Sequence, residues 1–397
     1  MSDELNDDFD DEPMPKKGVS RRGLLIGGAV GAAGIGALTF FNTKGSGKAN
    51  AGCISTDLSS TEKKLTISNW PQYIDEDDGD YVSTLTQFIK DKGIDTAYTA
   101  DVNDNSEFFA KVVNQLKACE PTGRDMFMLT DWMAARMIDA GYIQKLDKAK
   151  VPNLDANLIS SLQGVGWDPN REYSAPWQSG FTGIAYNKSL VGEVGSMADL
   201  LTRSDLKGRI TMLTEMRDTM GLLLLSDGKD PAKFSDDDWG NALDKLDKAR
   251  SDGQIRAFTG NEYINDLAAG NIAACVAWSG DVAAVEDENL VFLPPEEGMM
   301  IWADNMLIPN KSSHKANAEE WINFYYEPEI AARLAAYVWY VCPVNGAQAE
   351  MEKIDPSLVD NPLIFPTAEY LAATHNFMAL TDSKANSYEQ DFANVSG

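Results

Sequence analysis

From Lys63 onward, short apolar runs alternate with longer stretches in which apolar residues recur every three to four positions. The short runs have the length of β-strands and the longer ones the period of amphipathic helices, so the alternation predicts an α/β protein with mostly parallel sheets. Leu65 to Asn69 reads as a first strand, and Ser83 to Lys92 as a helix with Leu85, Phe88 and Ile89 on one face. Met126 to Leu129 is wholly apolar, as a strand covered on both faces should be, and Met133 to Ala140 reads as the helix after it. A Pro- and Gly-rich stretch, Gly164 to Gly183, contains Trp167-Asp168-Pro169-Asn170 and Tyr173-Ser174-Ala175-Pro176. The alternation restarts beyond it, which marks a crossing between two lobes. Asp237 to Arg250 and Ile272 to Trp278 form a second helix-and-strand set. Pro294-Pro295-Glu296-Glu297-Gly298 predicts a turn, and Met299 to Ile308 a strand that leads back to the first lobe. The length of 397 residues also favours two lobes over one core.

The pattern differs before Lys63. Residues 1–19 are acidic and lack the apolar residues needed to fold. Ser20-Arg21-Arg22-Gly23-Leu24-Leu25 opens an uncharged, Gly- and Ala-rich apolar stretch that ends at Phe41, the layout of a twin-arginine export signal. Ala49-Asn50-Ala51 places small residues where a signal peptidase reads, which predicts cleavage of residues 1–51 and a periplasmic mature protein. Cys53 also admits a lipid anchor, against which Asn50 stands where such signals carry an apolar residue. An uncleaved membrane anchor is a third alternative.

Charge narrows the partners. The chain carries a net charge of −27, and residues 1–51 contribute six Lys/Arg and seven Asp/Glu, so the remainder is near −26. Nucleic acid and anionic membrane surfaces would be repelled, and a polycation attracted, although solubility or a saline habitat accounts for the same excess. Cys53, Cys119, Cys275 and Cys342 contain no CxxC pair, so no zinc or thioredoxin motif is suggested; a disulfide is permitted, its pairing open. There are two histidines, His314 and His375, with no HExxH and no GxSxG, and the sole glycine-rich run of dinucleotide type lies in the export segment. We therefore expect no catalysis, no cofactor and no metal.

Aromatic residues beside carboxylates at strand ends are more informative. Trp302-Ala303-Asp304 lies on a predicted strand, whose period of two puts the indole and the carboxylate on one face. Glu215 and Asp218 are three apart after Thr214, a plausible N-cap, and share the first helical turn. Trp278-Ser279-Gly280-Asp281, Asn69-Trp70-Pro71-Gln72-Tyr73 and Thr130-Asp131-Trp132 each end a strand. Recognition of an alkyl ammonium wants this mixture, because a protonated amine leaving water needs a carboxylate while ring faces cover its methylenes and add a cation–π attraction. Taken singly, each group has a plainer reading as core, helix-dipole or turn residue.

The same residues carry a family likeness. From about Leu65 to Pro366 the chain resembles the periplasmic spermidine/putrescine-binding proteins of ABC transporters. The likeness is densest in Asn69-Trp70-Pro71-Gln72-Tyr73-Ile74, Gly141-Tyr142-Ile143-Gln144-Lys145-Leu146-Asp147, Tyr263-Ile264-Asn265-Asp266-Leu267-Ala268 and Trp278-Ser279-Gly280-Asp281. The resemblance implies a two-lobed type II periplasmic-binding fold, with a ligand cleft between two mixed, mostly parallel sheets. The lobes would be residues 63–180 plus 304–348 and residues 184–299 plus 353–397, hinged near 180–184, 299–304 and 348–353. It also implies delivery of a polyamine to an inner-membrane ABC permease, and the expected protein is a monomer exported by the twin-arginine machinery that Arg21-Arg22 addresses. Asp304 and Asp218 would neutralise amines, Glu215 and Asp281 would set ligand length or take the second amine, and Trp70, Tyr73, Trp132, Trp278, Trp302 and Tyr340 would sandwich the chain, with Thr130 beside them. Asp281 resembles the putrescine-preferring branch and Glu215 the spermidine-preferring one. Gln72 stands where members often carry an acid, and the stretch after Phe392 lacks the family's basic final helix. The alternatives are a binder of another cationic solute, of an amino acid (for which Arg217 is the sole arginine beside the site) or of ferric iron, a polyamine sensor without transport, and an exported enzyme.

Overall fold

A computed structural model of the chain describes residue 53 and residues 55–397, so the expected export signal and its cleavage point lie outside the described residues. Strands β1 (Lys64–Asn69), β2 (Asp95–Ala100) and β3 (Met126–Thr130) pair in parallel in the order β2-β1-β3. The long strand β4 (Ser174–Asn187) is followed by β5 (Ile210–Leu213), β6 (Ile255–Thr259) and β7 (Ala274–Trp278), which pair in parallel in the order β7-β5-β6. Strand β8 (Leu290–Leu293) pairs with β4, while β9 (Met299–Leu307) lies between β3 and β4, antiparallel to both. A short strand, β10 (Thr374–His375), extends the edge beside Met299 and Met300.

The lobes arise from how β4 and β9 are shared. Ser174 to Pro176 face the end of β9, which itself pairs with β3, whereas Thr182 to Tyr186 pair with β7. The register shifts between Pro176 and Ser179, and such an irregularity bends a strand. The two sheets expected from the sequence are thus two halves of one curled, mixed sheet, and the crossing is made by β4 and β9 themselves. The bends before β4 belong to the first lobe. There the Asp168 carboxylate accepts the N–H groups of Glu172, Tyr173 and Ser174 and the Ser174 hydroxyl, pinning the start of the crossing strand.

Local chemistry sets the helix starts. Ser83 caps Thr84–Lys92, Asp104 caps Asn105–Ala118 by accepting from Ser106 and Glu107, and Ser235 with Asp238 forms a capping box on Asp236–Ser251. Two boundaries differ from expectation. The helix after β3 is Asp131–Asp139, because Thr130 already takes the capping position. Glu215, not Thr214, holds the N-cap position of Met216–Ser226, and its carboxylate bonds elsewhere than to its own helix. Residues 348–353 lie inside the helix Ala347–Ile354, which packs on Pro328–Val338, so the backbone there is held by helical hydrogen bonds and is unsuited to a hinge.

Cys53 and Cys119 form a disulfide, while Cys275 and Cys342 are free and buried. A sulfur in a disulfide has no valence left for a thioether, so lipidation of Cys53 is incompatible with this bonding. The segment after Cys53 lies along the first lobe, with Leu58 N–H donating to Ser313 and the Asn317 amide to the carbonyls of Glu62 and Lys64. Among the described residues no helix is long and apolar enough to cross a membrane.

Candidate functional site

The carboxyl ends of β1, β3, β5 and β7 face the middle of β9 across a cavity of about 1090 Å³ between the lobes. Ligands collect at strand carboxyl ends in open α/β sheets because the loops there are free to vary and helix N-termini point inward. Trp70 and Tyr73 enter from the loop after β1, Thr130 and Trp132 from the end of β3, and Glu215 and Asp218 from the turn after β5. Trp278 ends β7, and Asp281 follows in the first turn of the short helix Ser279–Ala283. Trp302 and Asp304 share the cavity face of β9 while Ala303 between them is buried, as the period of two requires. Tyr340 completes the wall from the segment after Pro328–Val338.

The rings meet edge to face. Ring centroids are 5.8 Å apart for Trp70 and Trp278, 6.4 Å for Trp278 and Trp302, and 5.1 Å for Tyr73 and Tyr340. Two glycines make room for them. A Cβ on Gly180 would lie 2.6 Å from the Trp302 ring, and one on Gly280 would lie 2.5 Å from Tyr340, so neither position accepts a side chain with the rings in place.

Each carboxylate is held by named donors. Asp218 accepts from the Thr182 hydroxyl at 2.9 Å and from Trp278 Nε1 at 2.9 Å, and Trp302 Nε1 donates to the same Thr182 oxygen at 3.0 Å. Asp304 Oδ1 accepts the Thr130 hydroxyl at 2.7 Å. Asp281 accepts Tyr340 OH at 2.7 Å, Asn261 Nδ2 at 2.9 Å and Tyr263 OH at 3.0 Å. Glu215 Oε1 accepts the backbone and side-chain N–H groups of Asn105, at 2.7 and 2.9 Å.

Burial dominates the electrostatics. It pushes the Asp304 carboxyl up to about 7, opposed by the Thr130 bond and reinforced by Asp131 and Asp218. Asp218 is pushed up to about 6 by burial, opposed by its bonds from Trp278 and Thr182 and by the charge of Arg217. Burial and the neighbouring Asp104 hold Glu215 well above the ordinary range. The Arg217 guanidinium lies 3.5 Å from the centre of the Trp132 ring and is lowered to about 10 by burial, opposed by Glu389 and Glu215. One face of Trp132 is therefore already occupied by a cation of the protein itself.

Several residues of this site were not among the expected ligand contacts. Asn105, Asn261 and Tyr263 act as donors to acids far along the chain, and Asp131, pushed up to about 6 by burial, lines the cavity behind Asp304 while bonding Asn305. Asn376 to Thr381 and Ala385 supply the wall contributed by the C-terminal region. Trp70 Nε1 and Asn261 Oδ1 are buried without a partner among the described residues, which leaves a donor and an acceptor at the cavity for an occupant or for water.

The chain is similar to known proteins of established name. The Escherichia coli (strain K12) putrescine-binding periplasmic protein PotF is 31% identical over 338 residues, covering 79% of this chain and 86% of that protein. The spermidine/putrescine-binding periplasmic protein of the same organism is 26% identical over 309 residues, covering 77% and 84%. Among solved structures, the spermidine/putrescine ABC transporter substrate-binding protein PotD from Streptococcus pneumoniae superposes with a TM-score of 0.66 at 26% identity, covering 84% of this chain and 98% of that one. The profile of the bacterial extracellular solute-binding proteins matches residues 84–366. With that profile spanning most of both lobes and their shared strands, the chain belongs to the bacterial extracellular solute-binding protein family.

Proposed function

We propose that this protein captures a small polyamine, of the putrescine or spermidine kind, in the interlobe cleft and delivers it to an ABC permease in the inner membrane. The observation that carries this reading is the placement of Asp218, Asp281 and Asp304 within one wall of indole and phenol rings. Carboxylates this buried are costly when ionised and unpaired, and an entering ammonium removes that cost while the rings cover its methylenes. The relatives named for putrescine and spermidine binding support the same reading.

Asp304 and Asp218 are the amine partners. Asp281 accepts three hydrogen bonds, from Tyr340, Asn261 and Tyr263, where Asp218 accepts two, so it orients those groups and adds field at the site. Trp70, Tyr73, Trp278, Trp302 and Tyr340 enclose the alkyl chain, and Trp132 serves through its edge and its hold on Arg217. Capture needs no catalysis by the protein. The mature monomer works in the periplasm after twin-arginine export. Its lobes are residues 63–180 with 304–358 and residues 184–299 with 367–397, and they close about β4, β9 and a third crossing placed after the helix Ala347–Ile354.

The test is a titration of the purified protein with putrescine, following tryptophan fluorescence, alongside Asp304→Asn. Saturable quenching or enhancement in the wild type, lost in the variant, is expected. Retained binding in the variant contradicts the assignment of Asp304, and no response of the wild type to any polyamine contradicts the function.

A further inference from the structure

A chain of hydrogen bonds runs from Asp304 out of the cavity to the opposite lobe. The Thr130 hydroxyl donates to Asp304 Oδ1 at 2.7 Å. A hydroxyl carries one proton, so toward Asn105 the same oxygen can only accept, and it accepts Nδ2 at 2.8 Å. Thr130 N–H donates to Asn105 Oδ1 at 3.0 Å, which fixes the orientation of the amide. Asn105 then donates its Nδ2 and backbone N–H to Glu215 Oε1 at 2.9 and 2.7 Å. Asp304, Thr130 and Asn105 stand on the first lobe and Glu215 on the second. Asn105 is 1% exposed, and it is the first residue of the helix Asn105–Ala118, where free N–H groups favour an anion. Beside it, Asn103 donates to Glu262 at 3.2 Å and accepts from Asn261 N–H at 3.4 Å, again between lobes. Asp104 stands close enough to oppose the charge of Glu215, which keeps the contact from closing strongly by itself.

We propose that Asn105 is a positioning residue that couples amine binding at Asp304 to lobe closure, with Glu215 as the latch it engages and not as a carboxylate that measures ligand length. This rests on the polyamine reading above. The Asn105 amide is held at once by Thr130 N–H, by the Thr130 oxygen and by Glu215, so its bonds to Glu215 are made only when the second lobe closes on the first, the state in which one ligand meets Asp304 and Asp218 together.

Asn105→Ala and Glu215→Gln separate the coupling from a ligand contact. Each is titrated calorimetrically with putrescine and with spermidine, dissociation rates are taken by stopped flow, and small-angle scattering reads the contraction at saturation. The coupling predicts that Asn105→Ala weakens both ligands by the same factor, about tenfold, because apparent affinity scales with the fraction of closed protein. The loss appears mainly in the dissociation rate, and Glu215→Gln shows a smaller loss, again equal for both ligands. A loss confined to spermidine, or wild-type binding in both variants, overturns it. Should Asn105→Ala fail to fold, Glu215→Gln decides alone. A wild type that binds neither polyamine overturns the ligand reading, and the coupling with it.

Discussion

The Asp304 carboxyl is buried beside Thr130, Asp131 and Asp218, with a pKa of about 7 against the ordinary 3.8. Between those values the folded protein holds a proton that the unfolded chain has released. Stability from this group is therefore fully present below pH 3.8 and is lost as pH rises toward 7, a cost of up to about 4 kcal/mol above it. Asp304→Asn removes the cost, so the ligand-free variant should melt several degrees higher than wild type at pH 8 and no higher at pH 4, as read by differential scanning calorimetry. The same substitution should weaken putrescine binding by at least about a hundredfold, since it leaves a buried ammonium unpaired. A bound amine holds Asp304 and Asp218 ionised, so binding near pH 6 should release protons and affinity should fall as pH drops from 8 to 5. Calorimetry in two buffers of different ionisation heat reads the proton count directly; equal apparent heats would contradict it.

At the scale of elements, the C-terminal helix Asp382–Ser396 links the two lobes at the cleft. Trp239 stacks on Tyr388 at 4.0 Å and docks the helix on the second lobe, while Glu389 faces Arg136 of the first lobe at 3.6 Å and Arg217 of the second at 3.7 Å. Glu389→Ala should lower polyamine affinity several-fold, because it loosens this tie and leaves the Arg217 charge less compensated beside the site. Cys119→Ser should act differently. Cys119 follows a 14-residue helix whose other end holds Asn105, roughly 20 Å away, so ligand affinity should change less than twofold. The melting temperature should fall, since the disulfide closes a separation of 66 residues and such a closure is worth about 4 kcal/mol. These elements also mark what the sequence could disclose. Trp302 and Asp304 were legible because a strand repeats every two residues, and Trp278 and Asp281 because an apolar run stops at Ser279. Asn105 was not, because its partner Glu215 lies 110 residues away and an asparagine after Asp104 reads as ordinary capping. Arg217 on Trp132 escaped for the same reason, since no local pattern foretells which ring face a distant cation will cover. The sharing of β4 and β9 was half legible: the return strand was readable, and the joining of both sheets through one register shift was not.

For the whole molecule, a net charge of −27 makes the protein a slow partner for anions and a fast one for polycations. Salt should therefore reduce the association rate with spermidine more steeply than it raises the dissociation rate, because the buried contacts are screened less than the approach. In the proposed closure about β4 and β9 the carboxylates of both lobes meet one ligand, so neither lobe alone should bind a polyamine measurably. The most direct measurement is isothermal titration of the purified mature protein with putrescine, spermidine, spermine and agmatine. One-to-one binding of at least one of them at micromolar or tighter concentration, with proton release near pH 6, is the result that capture by Asp218 and Asp304 predicts; the absence of heat with all four would contradict it.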